Sequence, residues 1–154
     1  VDADWRTSTK AVGVFHRIAR SAKVKERVRF AERLEAMKRC SRDKSSKRKK
    51  LEFKYFDASA LTCDKDYAKY VTVYLDFVLA RLAFMSSSLK EIEDSTAIDQ
   101  DALNKAKRVL GAALKVKPNK GMSSSIVICD SLYLVASDIE AIWTKISSLL
   151  AKAL

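Results

Sequence analysis

The chain has 154 residues, of which 48% are hydrophobic and 32% are charged, and its formal net charge is +11. These proportions are typical of a folded globular domain and exclude a chain that is disordered throughout. Three glycines and one proline are too few for the many turns of a β-sandwich or β-barrel, so we expect long helices.

The excess of positive charge lies in the first third of the chain. Residues 1–55 contain 18 Lys/Arg and 7 Asp/Glu, whereas residues 56–154 contain 12 of each kind. A concentration of charge of this sign attracts polyanions such as nucleic acid, acidic protein segments or an anionic membrane surface. The simpler alternative is a charged face that only keeps the chain in solution.

The N-terminal residues predict two helices. Threonine and serine hydroxyls precede the first apolar run, so a helix is expected to begin near Lys10. The apolar positions change face beyond Val24, which indicates two helices, or one bent helix, with a break near Ser21. Residues 40–50 contain no apolar residue except Cys40 and are interpreted as a linker or a frayed helix end.

The most apolar stretch predicts a central helix from about Asp66 to Ser86. This helix is apolar nearly all round, which is typical of a helix enclosed by its neighbours. Its apolar stretch, Tyr70 to Met85, has 16 residues, fewer than the roughly 20 that span a membrane, and contains Asp76 and Arg81, so we expect the helix to be buried in protein. Each of these charged side chains needs a partner or access to the surface.

The C-terminal third predicts two more helices. The first begins at Asp99 and ends at Lys117 and Pro118, because proline cannot continue a helix. In the last helix the apolar residues alternate between spacings of four and three, the heptad pattern of a coiled coil or a long bundle helix. This pattern predicts self-association through Ile128, Leu132, Val135, Ile139, Ile142 and Ile146.

Together these patterns predict an all-α, single-domain bundle of five or six helices with a long C-terminal helix. Residues 1–50 are expected to form a basic helical segment and linker, and residues 51–154 a neutral helical bundle that completes the same domain. The aromatic residues of 51–56 are expected in a short helix or an extended segment.

No motif indicates catalysis, and we expect neither an enzyme, nor a cofactor, nor a metal site. His16 is the only histidine, no carboxylate lies near it in sequence, and it is interpreted as a structural residue, at the surface or partly buried. The three cysteines include no CxxC pair and indicate thiols in a reducing compartment, with Cys129 expected in the core. Glycine-rich phosphate loops and a GxSxG motif are also missing from the sequence.

The basic segment is the strongest functional signal. It contains 16 Lys/Arg between Arg17 and Lys54, and its KRKK tetrapeptide fits a nuclear import signal or a polyanion-binding patch. Lysine and arginine that neutralise phosphates release counterions, which gives affinity that falls steeply with salt. The predicted polyanion-binding residues are Arg17, Arg20, Lys23, Arg27, Arg29, Lys47, Arg48, Lys49 and Lys50.

The leading hypothesis is therefore a non-enzymatic, intracellular and nuclear interaction module whose basic N-terminal third binds nucleic acid. The first alternative is a protein–protein interaction or oligomerisation domain that binds an acidic partner. The second is a matrix-type domain that lies on an anionic membrane surface. The sequence contains no recognisable base-reading motif, so it does not separate DNA from RNA.

Overall fold

The computed structural model describes residues 4–23, 25–30, 32–33, 65–94 and 100–153, and these residues form helices and their connections without any strand. The expected all-α bundle with a long C-terminal helix is confirmed. Its helices are α1 (Trp5–Ser21), α2 (helical residues 25–30 and 32–33), α3 (Lys65–Asp94), α4 (Gln100–Ala113) and α5 (Ile126–Ala153).

Helix α1 begins earlier than the sequence pattern predicts. Trp5 is already helical and stacks on Tyr67 of α3, with 4.0 Å between the ring centroids. The Thr9 hydroxyl does not cap the helix, because it donates a hydrogen bond to the Trp5 carbonyl one turn earlier. The predicted break near Ser21 is confirmed and separates α1 from α2.

Helix α3 lies at the centre of the bundle and packs against α1 and α4, as the apolar pattern predicts. Tyr74, Phe77 and Leu82 are completely buried. The helix continues to Asp94, eight residues beyond the end near Ser86 that the apolar pattern predicts. These additional residues include leucine, lysine and glutamate, which favour helix even without an apolar face.

Helix α5 closes the bundle against α1 and α4. A short 3-10 turn at Lys120–Met122 precedes it, and Met122 is buried in the core. The helix has 28 residues, as the heptad pattern indicates. The expected linker at 40–50 and the aromatic segment at 51–56 lie outside the described residues.

The hydropathy of the helices also bears on membrane insertion. Among the described residues, no helix combines the length and the apolar character that crossing a bilayer requires.

Candidate functional site

A cluster of polar side chains lies buried where α1, α3 and α5 meet. His16 Nε2 is 2.6 Å from Asp138 Oδ2, and His16 Nδ1 is 3.0 Å from the Tyr74 hydroxyl. His16 and Tyr74 are 0% exposed, and Asp138 is 3% exposed. Buried polar groups of this kind stabilise a fold only when they are paired, and here one residue from each helix satisfies the others.

The chemistry of the three groups determines where the protons lie. A carboxylate only accepts hydrogen bonds, so the His16 Nε2–H donates to Asp138. Burial raises the pKa of Tyr74, and the negative charges of Asp130 and Asp138 act in the same direction. The Tyr74 hydroxyl therefore keeps its proton. It donates a hydrogen bond to Nδ1 when the His16 ring is neutral.

Two arginines also contact the Asp138 carboxylate. The buried Arg81 of α3 forms an ion pair with Asp138 through its Nε. Arg20 of α1 places its Nε 3.6 Å from the same carboxylate and donates hydrogen bonds to the Leu134 carbonyl and the Ser137 hydroxyl. Asp138 therefore connects α5 to both α1 and α3.

A second polar contact joins α3 to α5 nearer the start of α5. The Tyr70 and Ser131 hydroxyl oxygens are 2.6 Å apart, and Ser131 donates to the Ile128 carbonyl at 2.7 Å. Burial raises the pKa of Tyr70, which keeps its hydroxyl neutral. The two contacts fix the register of α5 along α3, because each joins a different turn of α5.

The geometry assigns a structural role to this cluster. A substrate cannot reach His16 or Tyr74, since neither side chain is exposed. The expectation of a structural histidine agrees with this geometry, but His16 is fully buried instead of lying at the surface or partly buried. A carboxylate does orient its ring, and it comes from Asp138, 122 residues away in sequence.

The raised pKa of Tyr74 predicts a specific loss of stability at alkaline pH. Tyrosine ionises near pH 10 in the unfolded chain, whereas Tyr74 ionises only at higher pH in the folded chain. The free energy of unfolding therefore keeps its full value below pH 10 with respect to this group and falls as the pH rises above 10. Each such tyrosine contributes a slope of about 1.4 kcal/mol per pH unit. We expect Tyr74→Phe to remove this slope from urea unfolding free energies measured above pH 10.

The matched control for this measurement is Tyr133→Phe. Tyr133 is 72% exposed on α5, so its replacement is not expected to change the slope. Equal slopes for the Tyr74 and Tyr133 variants would show that Tyr74 is not protected in the fold.

The structure places the α1 arginines against α5. Arg17 Nη2 lies 2.6 Å from Asp130 of α5, and Arg20 is held by Asp138 and the α5 backbone. Both are predicted to bind a polyanion, and each also forms an ion pair with a carboxylate of α5. These arginines dock α1 on α5.

The cations of α2 are placed differently. Lys25, Arg29 and Arg33 are exposed and form no ion pair with another described residue. Their spacing of four residues places them along one side of the helix. We call these three residues the α2 basic face.

The remaining predicted cations fall into three groups. Lys23 is exposed at the start of α2, where its backbone N–H donates to the Glu26 carboxylate. Arg27 is half-buried, on a different side of α2 from the basic face. The other predicted residues lie outside the described residues, and they are Lys47, Arg48, Lys49 and Lys50.

The predicted self-association seam of α5 is used inside the chain. Ile128, Val135 and Ile142 are buried in the core. The other three members are partly buried and pack against the same core, and they are Leu132, Ile139 and Ile146. The heptad pattern therefore marks a bundle helix, and the hypothesis of self-association through this seam is wrong for the three buried residues.

The structure also shows which way the charged residues of α3 and the cysteine of α5 face. Asp76 lies on the exposed side of α3, whereas Arg81 is buried and finds its partner on another helix. Cys129 is exposed, so its predicted place in the core is wrong. The sequence analysis does not identify Asp138 as a member of the buried cluster. A signal is present, because the residues three and four positions before and after Asp138 are apolar, which is typical of a position that faces the core.

Comparison with known proteins gives no relative. No family model, curated protein or solved structure matches this chain. Within the described part of the chain, no group of three or more His, Cys, Asp or Glu side chains could hold a metal ion.

Proposed function

We propose that this chain is a non-enzymatic helical module that binds the phosphate backbone of nucleic acid through its basic N-terminal third. The α2 basic face is the observation that carries the proposal, because its exposed cations have no partner among the described residues. Lysine and arginine along one side of a helix bind successive phosphates without reading bases.

The surrounding sequence supports this surface. Residues 44–50 follow α2 in the chain. They contain five Lys/Arg and no Asp/Glu, and they end in the KRKK tetrapeptide. The remainder of the protein, residues 56–154, is electrically neutral. A local excess of positive charge on a neutral scaffold favours a polyanionic ligand over general solubility, and the KRKK run is consistent with a nuclear nucleoprotein complex.

The buried cluster contributes rigidity to the proposed surface. His16 and Arg20 lie in the last two turns of α1, directly before α2, and both are bound to Asp138. The Phe15 and Phe30 rings pack with 4.8 Å between their centroids and attach α2 to α1. A basic face held in one orientation loses less entropy when it binds a phosphate backbone.

The proposal is tested by fluorescence anisotropy with labelled single- and double-stranded oligonucleotides of random sequence. We expect binding at low salt that weakens at least about 40-fold between roughly 50 and 200 mM salt, since three phosphate contacts give a slope of about −2.7. Parallel arms use a poly-glutamate peptide and vesicles that contain phosphatidylserine.

Each parallel arm has a defined meaning. No oligonucleotide binding at low salt would contradict the proposal. Tighter binding to poly-glutamate would favour the acidic protein partner, and tighter binding to the anionic vesicles would favour the membrane surface; either result would replace nucleic acid as the ligand.

A further inference from the structure

Two arginines contact one carboxylate, and a third arginine lies near them, where the end of α1, the start of α2 and α3 meet. Arg20 and Arg81 both contact Asp138. Arg27 lies close enough for its charge, like that of Arg20, to lower the pKa of Arg81, although burial of Arg81 is the larger cause and Asp138 opposes it. Three arginine charges are therefore grouped near one carboxylate of the described residues.

The packing of α2 explains how Arg27 reaches this place. Phe30 packs against Ala19 of α1 and Leu82 of α3, which are the sequence neighbours of Arg20 and Arg81. Arg27 precedes Phe30 by three residues and therefore lies on the same side of α2, one turn away. The same contact turns the α2 basic face outward.

Part of this arginine cluster is buried without a partner. Arg81 is only 4% exposed, and its Nη1 has no hydrogen-bond partner among the described residues. The Nε of Arg27 is buried and has none there either. A buried guanidinium N–H without an acceptor is costly, so an acceptor for these donors is strongly favoured.

We propose that Arg20, Arg27 and Arg81 form a binding site for one phosphate-like oxyanion. A tetrahedral oxyanion offers several acceptor oxygens to the planar donor forks of arginine and balances the excess positive charge that Asp138 leaves. The Arg20 side chain is 32% exposed and Arg27 is half-buried, so both side chains have access to solvent.

The acidic side chains of α2 do not supply this acceptor. Glu26 is exposed and accepts a hydrogen bond from the Lys23 backbone, and Glu32 is also exposed. The proposed site is separate from the α2 basic face and does not rest on nucleic-acid binding. A free phosphate and a backbone phosphate of nucleic acid present the same chemistry to it.

The test is the thermal stability of the full chain in inorganic phosphate, compared with chloride at equal ionic strength. A ligand at about ten times its Kd is expected to raise the Tm by about 4 °C. We expect Arg27→Ala to abolish this rise, because it removes one wall of the site and leaves the contacts of Asp138 unchanged.

The matched control is Arg108→Ala, which removes an exposed arginine from α4 and should retain the full rise. No difference between phosphate and chloride in the unmodified chain would overturn the proposal. An equal loss of the rise in both variants would also overturn it, because the effect would then come from general surface charge.

An oligonucleotide arm distinguishes the two sources of phosphate. If the site takes a backbone phosphate, saturating inorganic phosphate should weaken oligonucleotide binding more in the unmodified chain than in Arg27→Ala. If it takes a free phosphate, phosphate should stabilise both ligand-free and oligonucleotide-bound protein equally. Phosphate stabilisation without any oligonucleotide binding supports this site while contradicting the proposed function.

Discussion

Replacement of Asp138 by alanine is expected to lower the free energy of unfolding by about 3–5 kcal/mol, which is the cost of leaving a buried charge without its partner. Asp138 accepts from His16 and forms ion pairs with Arg81 and Arg20. Without it, the guanidinium of Arg81 stays buried with no carboxylate to compensate its charge. Such a loss is a large part of the stability of a typical domain.

The control is Asp130→Ala on the same helix. Asp130 also pairs with an α1 arginine, but both side chains of the Arg17–Asp130 pair are about half exposed. Exposed ion pairs contribute less than about 1 kcal/mol, so this variant should be close to the unmodified chain. Urea unfolding followed by circular dichroism measures the free energy of unfolding of both variants. Equal losses would show that the buried cluster contributes no more stability than an exposed ion pair.

A double variant keeps the test informative if Asp138→Ala does not fold. Arg81→Met combined with Asp138→Leu replaces the buried ion pair by apolar side chains of similar volume. Such replacements are often neutral or stabilising, so the double variant should unfold at higher urea than Asp138→Ala. A double variant that is less stable than Asp138→Ala would contradict the assignment of Arg81 as the unpaired charge.

The sequence predicts the helices well because their apolar residues recur at helical spacing. The central position of α3 follows from its apolar surface, and Tyr74, Phe77 and Leu82 are indeed completely buried. The heptad pattern of α5 predicts a long helix and its inner face, in agreement with the structure. Periodicity does not reveal whether a seam meets another helix of the same chain or a second copy, and here the three buried residues of the seam meet the core of their own chain.

The buried cluster could be predicted only in part. Arg81 stands out in an apolar helix and predicts a partner, but a single sequence does not show which distant carboxylate it meets. His16 and Asp138 are 122 positions apart and come together only because α1 and α5 pack side by side. The apolar neighbours of Cys129 in sequence predict a place in the core. Successive residues of a helix are rotated by about 100°, however, so the residue after the buried Ile128 faces outward.

The second large effect concerns binding, and its variant is Lys25→Glu, Arg29→Glu and Arg33→Glu together. Reversal of the α2 basic face is expected to weaken oligonucleotide binding more than about 100-fold at low salt, because three phosphate contacts become repulsive. All three side chains are exposed, so circular dichroism should show an unchanged helical fold.

The matched control reverses three exposed cations of the neutral bundle, Lys107, Arg108 and Lys115. It changes the net charge by the same amount as the α2 variant. Any difference between the two variants therefore reports the position of the charges and not their number.

The slope of log K against log salt concentration for the two triple variants is the most direct test of nucleic-acid binding by the α2 basic face. The α2 variant should have a slope shallower than that of the unmodified chain by about 2.7, and the control should keep the original slope. Equal slopes for the two variants would show that total charge drives binding and that α2 forms no phosphate-binding surface.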